Sequence, residues 1–228
     1  MTTTELLALF RLEVVDVALP YLWADATIYT YIDDAQKQFC RDTYGIEDSR
    51  SFKLTVPGDG VTEWFALDPT ILKVRNAVDS ATGNDIPLIA IEKMGGTTVG
   101  GSKSYGISAA ATMKFDGTTG ALKALITGMD KGYVRTWPLV NIPTTVLLRT
   151  FRLPYDVAAG DDFEIDSQHH INLLHWVKYR AYGVQDAETY NAKAVDKFKA
   201  AHDLYCAKAK VEQDRLRRPV STVAYGGC

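Results

Sequence analysis

Hydrophobic positions near the C-terminus step twice with the period of a helix. Leu174, Val177, Ala181 and Val184 lie three, four and three residues apart, on one helical face, with Trp176 and Tyr179 as a second apolar edge. Gly183 interrupts the run and Asp186 is placed to cap a further helix. A second stripe then takes Ala187, Tyr190, Ala194, Phe198, Ala201 and Tyr205. Two long amphipathic helices with so short a break predict an antiparallel hairpin.

The same period opens the chain. Thr2 and Glu5 have the spacing of a capping box, and Leu7, Phe10, Val14 and Val17 form the apolar stripe of a first helix that Pro20 ends. Asp25 is placed to cap a second helix with Ile28, Ile32, Ala35 and Phe39 inward and Gly45 as its stop.

Between these helical ends the period changes. Over residues 46–155, short β-rich runs alternate with Gly, Pro and Asn turns: 52–56, 63–67, 71–78, 86–92, 112–115, 121–126, 133–136 and 145–153. That spacing reads as an antiparallel sandwich or small barrel. Residues 156–166 carry five carboxylates in eleven positions, and Ser167 is placed to cap the helical hairpin. The expected fold is therefore α+β: a four-helix body of two N-terminal helices (1–45) and a C-terminal hairpin (156–216), an inserted antiparallel β-sandwich or barrel (46–155), and an extended tail (217–228). Neither helix pair can bury its stripe alone, so the two must pack on each other.

The order of residues resembles a known family. Trp176 followed by Tyr179-x-Ala181-Tyr182, then Gln185-Asp186-Ala187-x-Thr189-Tyr190 and a Lys/Ala-rich helix around Phe198, is similar to the head-to-tail adaptor, connector or gatekeeper proteins of tailed bacteriophages. Asp16, Pro20-x-x-Trp23, Asp25 and Tyr31-Ile32-Asp33-Asp34-Ala35-Gln36 match its opening helices. Gly60-x-x-Glu63-x-Phe65-x-Leu67-x-Pro69, Ile71 to Arg75, Trp137-Pro138 and Leu147 to Pro154 match its β region. The glycine-rich stretch 94–111 departs from the family's wording.

The resemblance implies a non-enzymatic structural protein of the virion neck, assembled in the host cytoplasm. It implies a ring, typically of twelve copies, docked beneath the portal after DNA packaging as a platform for tail tube, nozzle or other tail proteins. Double-stranded DNA would pass the lumen without specific binding, and no membrane or cofactor is involved. The family's C-terminal tail commonly reaches the portal. Here residues 208–228 hold five basic and two acidic residues in a chain of net charge −3. Arg215, Arg217 and Arg218 are expected to pair with portal carboxylates, and Val220, Val223 and Tyr225 to fill pockets between portal subunits. A β-sandwich ligand-binding or host-recognition module on a helical stalk is the alternative, with the tail idle.

Other chemistry is weaker. Gly96-x4-Gly101 is followed by Ser102 with Lys103 one place late for a phosphate-binding loop. His169, His170 and His175 share no helical face and read as surface or interface histidines, not metal ligands. His202 and Cys206 lie one turn apart on a helix read as exposed, an incidental pair. Asp33-Asp34 and Asp161-Asp162 do not converge as acid–base pairs, and Trp23, Trp64, Trp137 and Trp176 read as packing residues, not a nucleic-acid platform. Cys40, Cys206 and Cys228 read as unpaired thiols of a reducing compartment. The N-terminus lacks a basic region and cleavage site, and no apolar run reaches bilayer-spanning length.

Overall fold

A computed structural model describes residues 1–90, 119–184 and 190–217. The chain is a mixed α+β protein with four α-helices and ten strands among the described residues. It divides into two compact units, residues 1–45 with those from 153 onward, and residues 46–152.

In the first unit, helix α1 spans Thr3–Val14. The capping box forms: the Thr2 hydroxyl accepts the Glu5 N–H, and the Glu5 carboxylate accepts the Thr2 N–H at 2.9 Å. Leu6, Leu7 and Phe10 are buried. The helix stops earlier than its stripe suggests, because Val15 turns into the left-handed region (φ 60°) and leaves Val17 exposed.

Helix α2 spans Asp25–Asp42 and buries Ile28, Ile32, Ala35 and Phe39, the expected stripe. Asp25 does not cap it. The N-cap is Ala24, without a side-chain bond, and the Asp25 carboxylate instead accepts from the Arg11 guanidinium. Arg11 is itself buried. It donates to Asp16 at 2.6 Å and to the Trp23 carbonyl at 2.9 Å, and stacks over the Tyr21 ring. One guanidinium thus ties the end of α1, the loop of residues 15–24 and the start of α2.

The C-terminal half of this unit begins with a 3-10 helix, Ser167–Asn172, whose N-cap is Asp166; Ser167 does not cap it. Helix α3 follows at Leu173–Tyr182 and helix α4 at Ala192–Arg217. Leu174, Val177 and Ala181 are buried as expected, while Val184 lies past the helix end and is exposed. Helix α4 starts later than its stripe suggests, and Tyr190 is exposed. The Ala187 and Asp186 expectations fall outside the described residues.

The second unit contains two four-stranded sheets. Strands β1 (Ile46–Val56), β10 (Thr144–Arg152), β3 (Ile71–Asp79) and β4 (Asp85–Ile86) form one, in the order β1-β10-β3-β4. Strands β2 (Trp64–Ala66), β8 (Tyr133–Trp137), β7 (Ala124–Thr127) and β5 (Leu88–Ala90) form the other, in that order. Strands β6 (Thr119–Gly120) and β9 (Leu139–Val140) make a two-stranded ribbon. Neither sheet closes into a barrel, so that half of the expectation is corrected. Pairing is mainly antiparallel, with β5–β7 and β6–β9 parallel.

One apolar cluster draws on both sheets: Leu54, Val56, Ala77, Ile86, Val146 and Leu148 from the first, Leu125 and Val134 from the second, with Val140 of β9. The strand expected over 86–92 is split. Pro87, which cannot donate a ladder hydrogen bond, lets the chain leave the first sheet at Ile86 and join the second at Leu88. Gly58 (φ +72°) sits where a Cβ would lie 2.3 Å from the Pro143 nitrogen, so this turn requires glycine. Strand β1 begins at Ile46, earlier than expected, through an irregularity between Asp48 and Phe52. There Asp48 accepts the N–H groups of Arg50 and Ser51 and pairs with the buried Arg152 at 3.1 Å. The strand expected at 112–115 lies outside the described residues.

Truncating Arg11 strands the buried Asp16 carboxylate and the Trp23 carbonyl. Arg11→Ala is expected to lower stability by about 3–5 kcal/mol in urea denaturation. Asp25→Asn, at a half-exposed carboxylate, is expected to cost less than about 1 kcal/mol.

Candidate docking surface

The C-terminal helix carries Arg215 and Arg217, the first of the residues expected to dock, and α3 and α2 fix its position. Phe198 of α4 stacks on Tyr182 (5.9 Å between centroids, 10° between planes), with the Lys178 ammonium 5.1 Å from its ring. The His202 ring packs on Trp176 at 4.9 Å, and Tyr205 stacks on Phe39 at 6.2 Å. The Tyr205 hydroxyl lies 2.7 Å from His169 Nδ1. Helix α4 is therefore seated by aromatic contacts over residues 198–205.

Its fully buried positions are His202, Cys206 and Ala209, while Ala194, Phe198, Ala201 and Tyr205 are half-buried. The buried line is turned about one residue from the stripe expected from hydrophobicity. His202 and Cys206, an incidental pair on an exposed helix by their spacing alone, are core residues. The expectation of surface histidines is corrected likewise: His169 and His170 are buried, with His170 Nε2 2.8 Å from the Ile165 carbonyl oxygen. Cys40 and Cys206 are buried thiols that join no disulfide. Asp33 and Asp34 diverge as expected, Asp33 to Lys37 and Asp34 to the Trp176 indole N–H and Arg180.

On the opposite side of α4, the exposed residues Lys193, Lys197, Leu204, Lys208, Val211 and Arg215 succeed one another at spacings of four, seven, four, three and four. That spacing places them on a single face. The face carries four cations, no carboxylate and two large apolar side chains, Leu204 at 59% and Val211 at 51% exposure. Carboxylates lie to its sides: Asp203 pairs with Lys199 at 3.2 Å. Over the 26 residues of α4 the stripe belongs to a helix about 39 Å long. Of the residues expected to dock, Arg215 lies on this face and Arg217 ends the helix. Arg218, Val220, Val223 and Tyr225 lie outside the described residues, as does the glycine-rich 94–111 loop with its near-match to a phosphate-binding loop. Hydrophobic periodicity does not single out the basic stripe upstream of Arg215; its signal in the sequence is the spacing of Lys193, Lys197, Lys208 and Arg215, four, eleven and seven residues apart, each close to a whole number of helical turns.

A family model described as SU10 adaptor protein matches residues 1–223, nearly the whole sequence. The chain belongs to the SU10 adaptor protein family. It is thus a phage structural adaptor, of a class that interacts with portal and tail proteins at the virion neck. A search of the curated proteins finds no match. Among the described residues, no helix is long and apolar enough to cross a membrane.

Burial holds the His169 and His175 imidazoles below their ordinary range, and the positive Lys178 adds to the effect at His175. The unfolded chain then takes up protons before the folded one. Stability is full above the unfolded histidine value of about 6.5 and falls as pH drops below it. In chelator-containing buffer, the urea midpoint is expected to be lower at pH 5.5 than at pH 7.5, with a smaller difference in His169→Asn.

Proposed function

We propose that this adaptor docks beneath the portal ring through the end of α4 and the tail that continues from it. The helices form a four-helix body that builds the ring wall, and the β unit, read as a sandwich, faces the next tail component. Twelve copies assemble on the portal after DNA packaging in the host cytoplasm, and DNA passes the lumen without specific contacts. The role is structural, without catalysis.

The observation that carries this reading is the continuity of charge. The outward face of α4 is basic and leads into Arg217 and Arg218, in a chain whose net charge is −3. A basic helix end followed by Val220, Val223 and Tyr225 suits a partner with carboxylates at the rim of apolar pockets. Ordering the tail on the portal carries an entropy cost, which neighbouring subunits offset by packing side by side on one ring. The subunit alone is therefore expected to be monomeric.

Mass photometry of the chain mixed with the purified portal ring is expected to show an added mass of about twelve subunits. Deleting residues 217–228 is expected to abolish it while the circular dichroism of the subunit is unchanged. Arg215→Glu is expected to weaken docking and steepen its loss with salt. No added mass at any salt concentration contradicts the portal partnership. Full binding by the truncated chain would move the docking surface elsewhere, and a ligand-binding role for the β unit would become the reading to pursue.

A further inference from the structure

The last residue of α2 and two residues of α4 bring three different donor atoms to one point. His202 Nε2 lies 3.2 Å from Asp42 Oδ2 and 3.3 Å from Cys206 Sγ. One oxygen, one nitrogen and one sulfur lie within 4.8 Å of one another. His202 and Cys206 are four residues apart on one helix, the spacing that places two ligands on the same face. They are 1% and 3% exposed, while the Asp42 side chain is 34% exposed and opens the cluster to solvent on one side.

Hydrogen bonding alone serves this cluster poorly. An imidazole Nε2 carries either one proton or one lone pair. If it donates to Asp42, the Cys206 sulfur receives only a share of a bifurcated bond. If it accepts from the Cys206 thiol, its lone pair faces the Asp42 carboxylate. A cation at the centre removes the conflict, because all three atoms then point lone pairs at it.

The spacings fit such a cation. Zinc–nitrogen and zinc–oxygen bonds of about 2.0–2.1 Å and a zinc–sulfur bond of about 2.3 Å give tetrahedral edges of about 3.3–3.6 Å. The two observed separations, 3.2 and 3.3 Å, lie just below and at the short end of that range. The carboxylate is also oriented from behind: the Gln38 amide donates to Asp42 Oδ1 at 2.9 Å, which leaves Oδ2 for the centre. The Trp176 ring walls the site against His202. A divalent ion with one thiolate, one carboxylate and one neutral imidazole has no net charge, the state that burial tolerates best.

We propose that Asp42, His202 and Cys206 form a structural zinc site that clamps α4 to the end of α2. The mixed nitrogen, oxygen and sulfur set selects zinc over the oxygen-bound calcium and magnesium. Water on the open side of Asp42 supplies the fourth ligand. On binding, the Cys206 S–H bond breaks, its proton leaves to solvent, and a sulfur–zinc bond forms without a change of oxidation state. The clamp holds the helix that carries the basic face, yet the site stands on its own geometry whether or not that face docks on a portal.

The test uses the full chain, stripped with a chelator and titrated with cobalt as the spectroscopic probe. One cobalt per chain is expected, with tetrahedral visible bands and a sulfur-to-cobalt charge-transfer band in the near ultraviolet, all displaced by zinc. Cys206→Ser is expected to remove the charge-transfer band and weaken zinc about 100-fold or more in chelator competition. Asp42→Asn is expected to keep the band but weaken zinc, and Cys40→Ser to leave both intact. Absence of the band in the unaltered chain would overturn the proposal, whether or not the variants fold. So would unchanged zinc binding in Cys206→Ser, or loss of the band in Cys40→Ser alone.

Discussion

Trp23 closes the helical unit. Its indole packs edge-on against Phe10 of α1 and Tyr182 of α3, at 5.6 Å in each case, and its N–H donates to the Ala181 carbonyl at 3.2 Å. Its own carbonyl accepts from the buried Arg11. A residue from the N-terminal helical segment thus sits in the C-terminal half of the chain. The loop that presents it is fixed by a guanidinium with three oxygen partners. The stripes of α1 and α2 are too short of partners to be buried by each other, and residues after 153 supply the missing surface. Trp176 repeats the arrangement from the other side, its indole N–H donating to Asp34, 142 residues away. A hydrophobic ring gives area, and a polar N–H fixes its register.

Helix α4 depends on this closed body. Its buried line contains an imidazole and a thiol, His202 and Cys206, which the expected stripe of Ala194, Phe198, Ala201 and Tyr205 leaves out. The consequence is functional as well as structural, since turning the helix by one residue decides which lysines face outward. With His202 and Cys206 inward, Lys193, Lys197, Lys208 and Arg215 share the solvent face with Leu204 and Val211. The basic character of the C-terminus is therefore a property of a long, well-seated helix as well as of the tail.

Much of this is legible from residue order. The capping box, the inward stripe of α2, the turn-punctuated strands and the family resemblance all come from short-range patterns that tertiary contacts leave intact. The features that escape the sequence depend on distant partners. Asp25 has the chemistry of a cap but is taken by Arg11. Val17 fits a helical stripe, but the helix has already ended at Val15. Pro87 separates two sheets where alternation alone suggests one strand. The histidines at 169 and 170 are polar enough for a surface, but Tyr205 and a backbone carbonyl, not solvent, take their hydrogen bonds. In each case a single long-range hydrogen bond or a backbone limit outweighs local propensity. The basic face of α4 is half legible: Arg215 stands out by its charge near the tail, and the spacing of the lysines before it marks a common face, but that this face is the outward one follows only from the buried side of α4.

The proposed docking on the portal rests on one contact, assigned to the end of α4 and the residues after it. A cryo-electron-microscopy map of the virion neck tests this most directly. Continuous density is expected from α4 into residues 218–228 against the portal ring, with Arg215 and Arg218 beside portal carboxylates and Tyr225 in a pocket between subunits. A neck in which this segment touches no portal residue, while the β unit makes the portal contact, would contradict it.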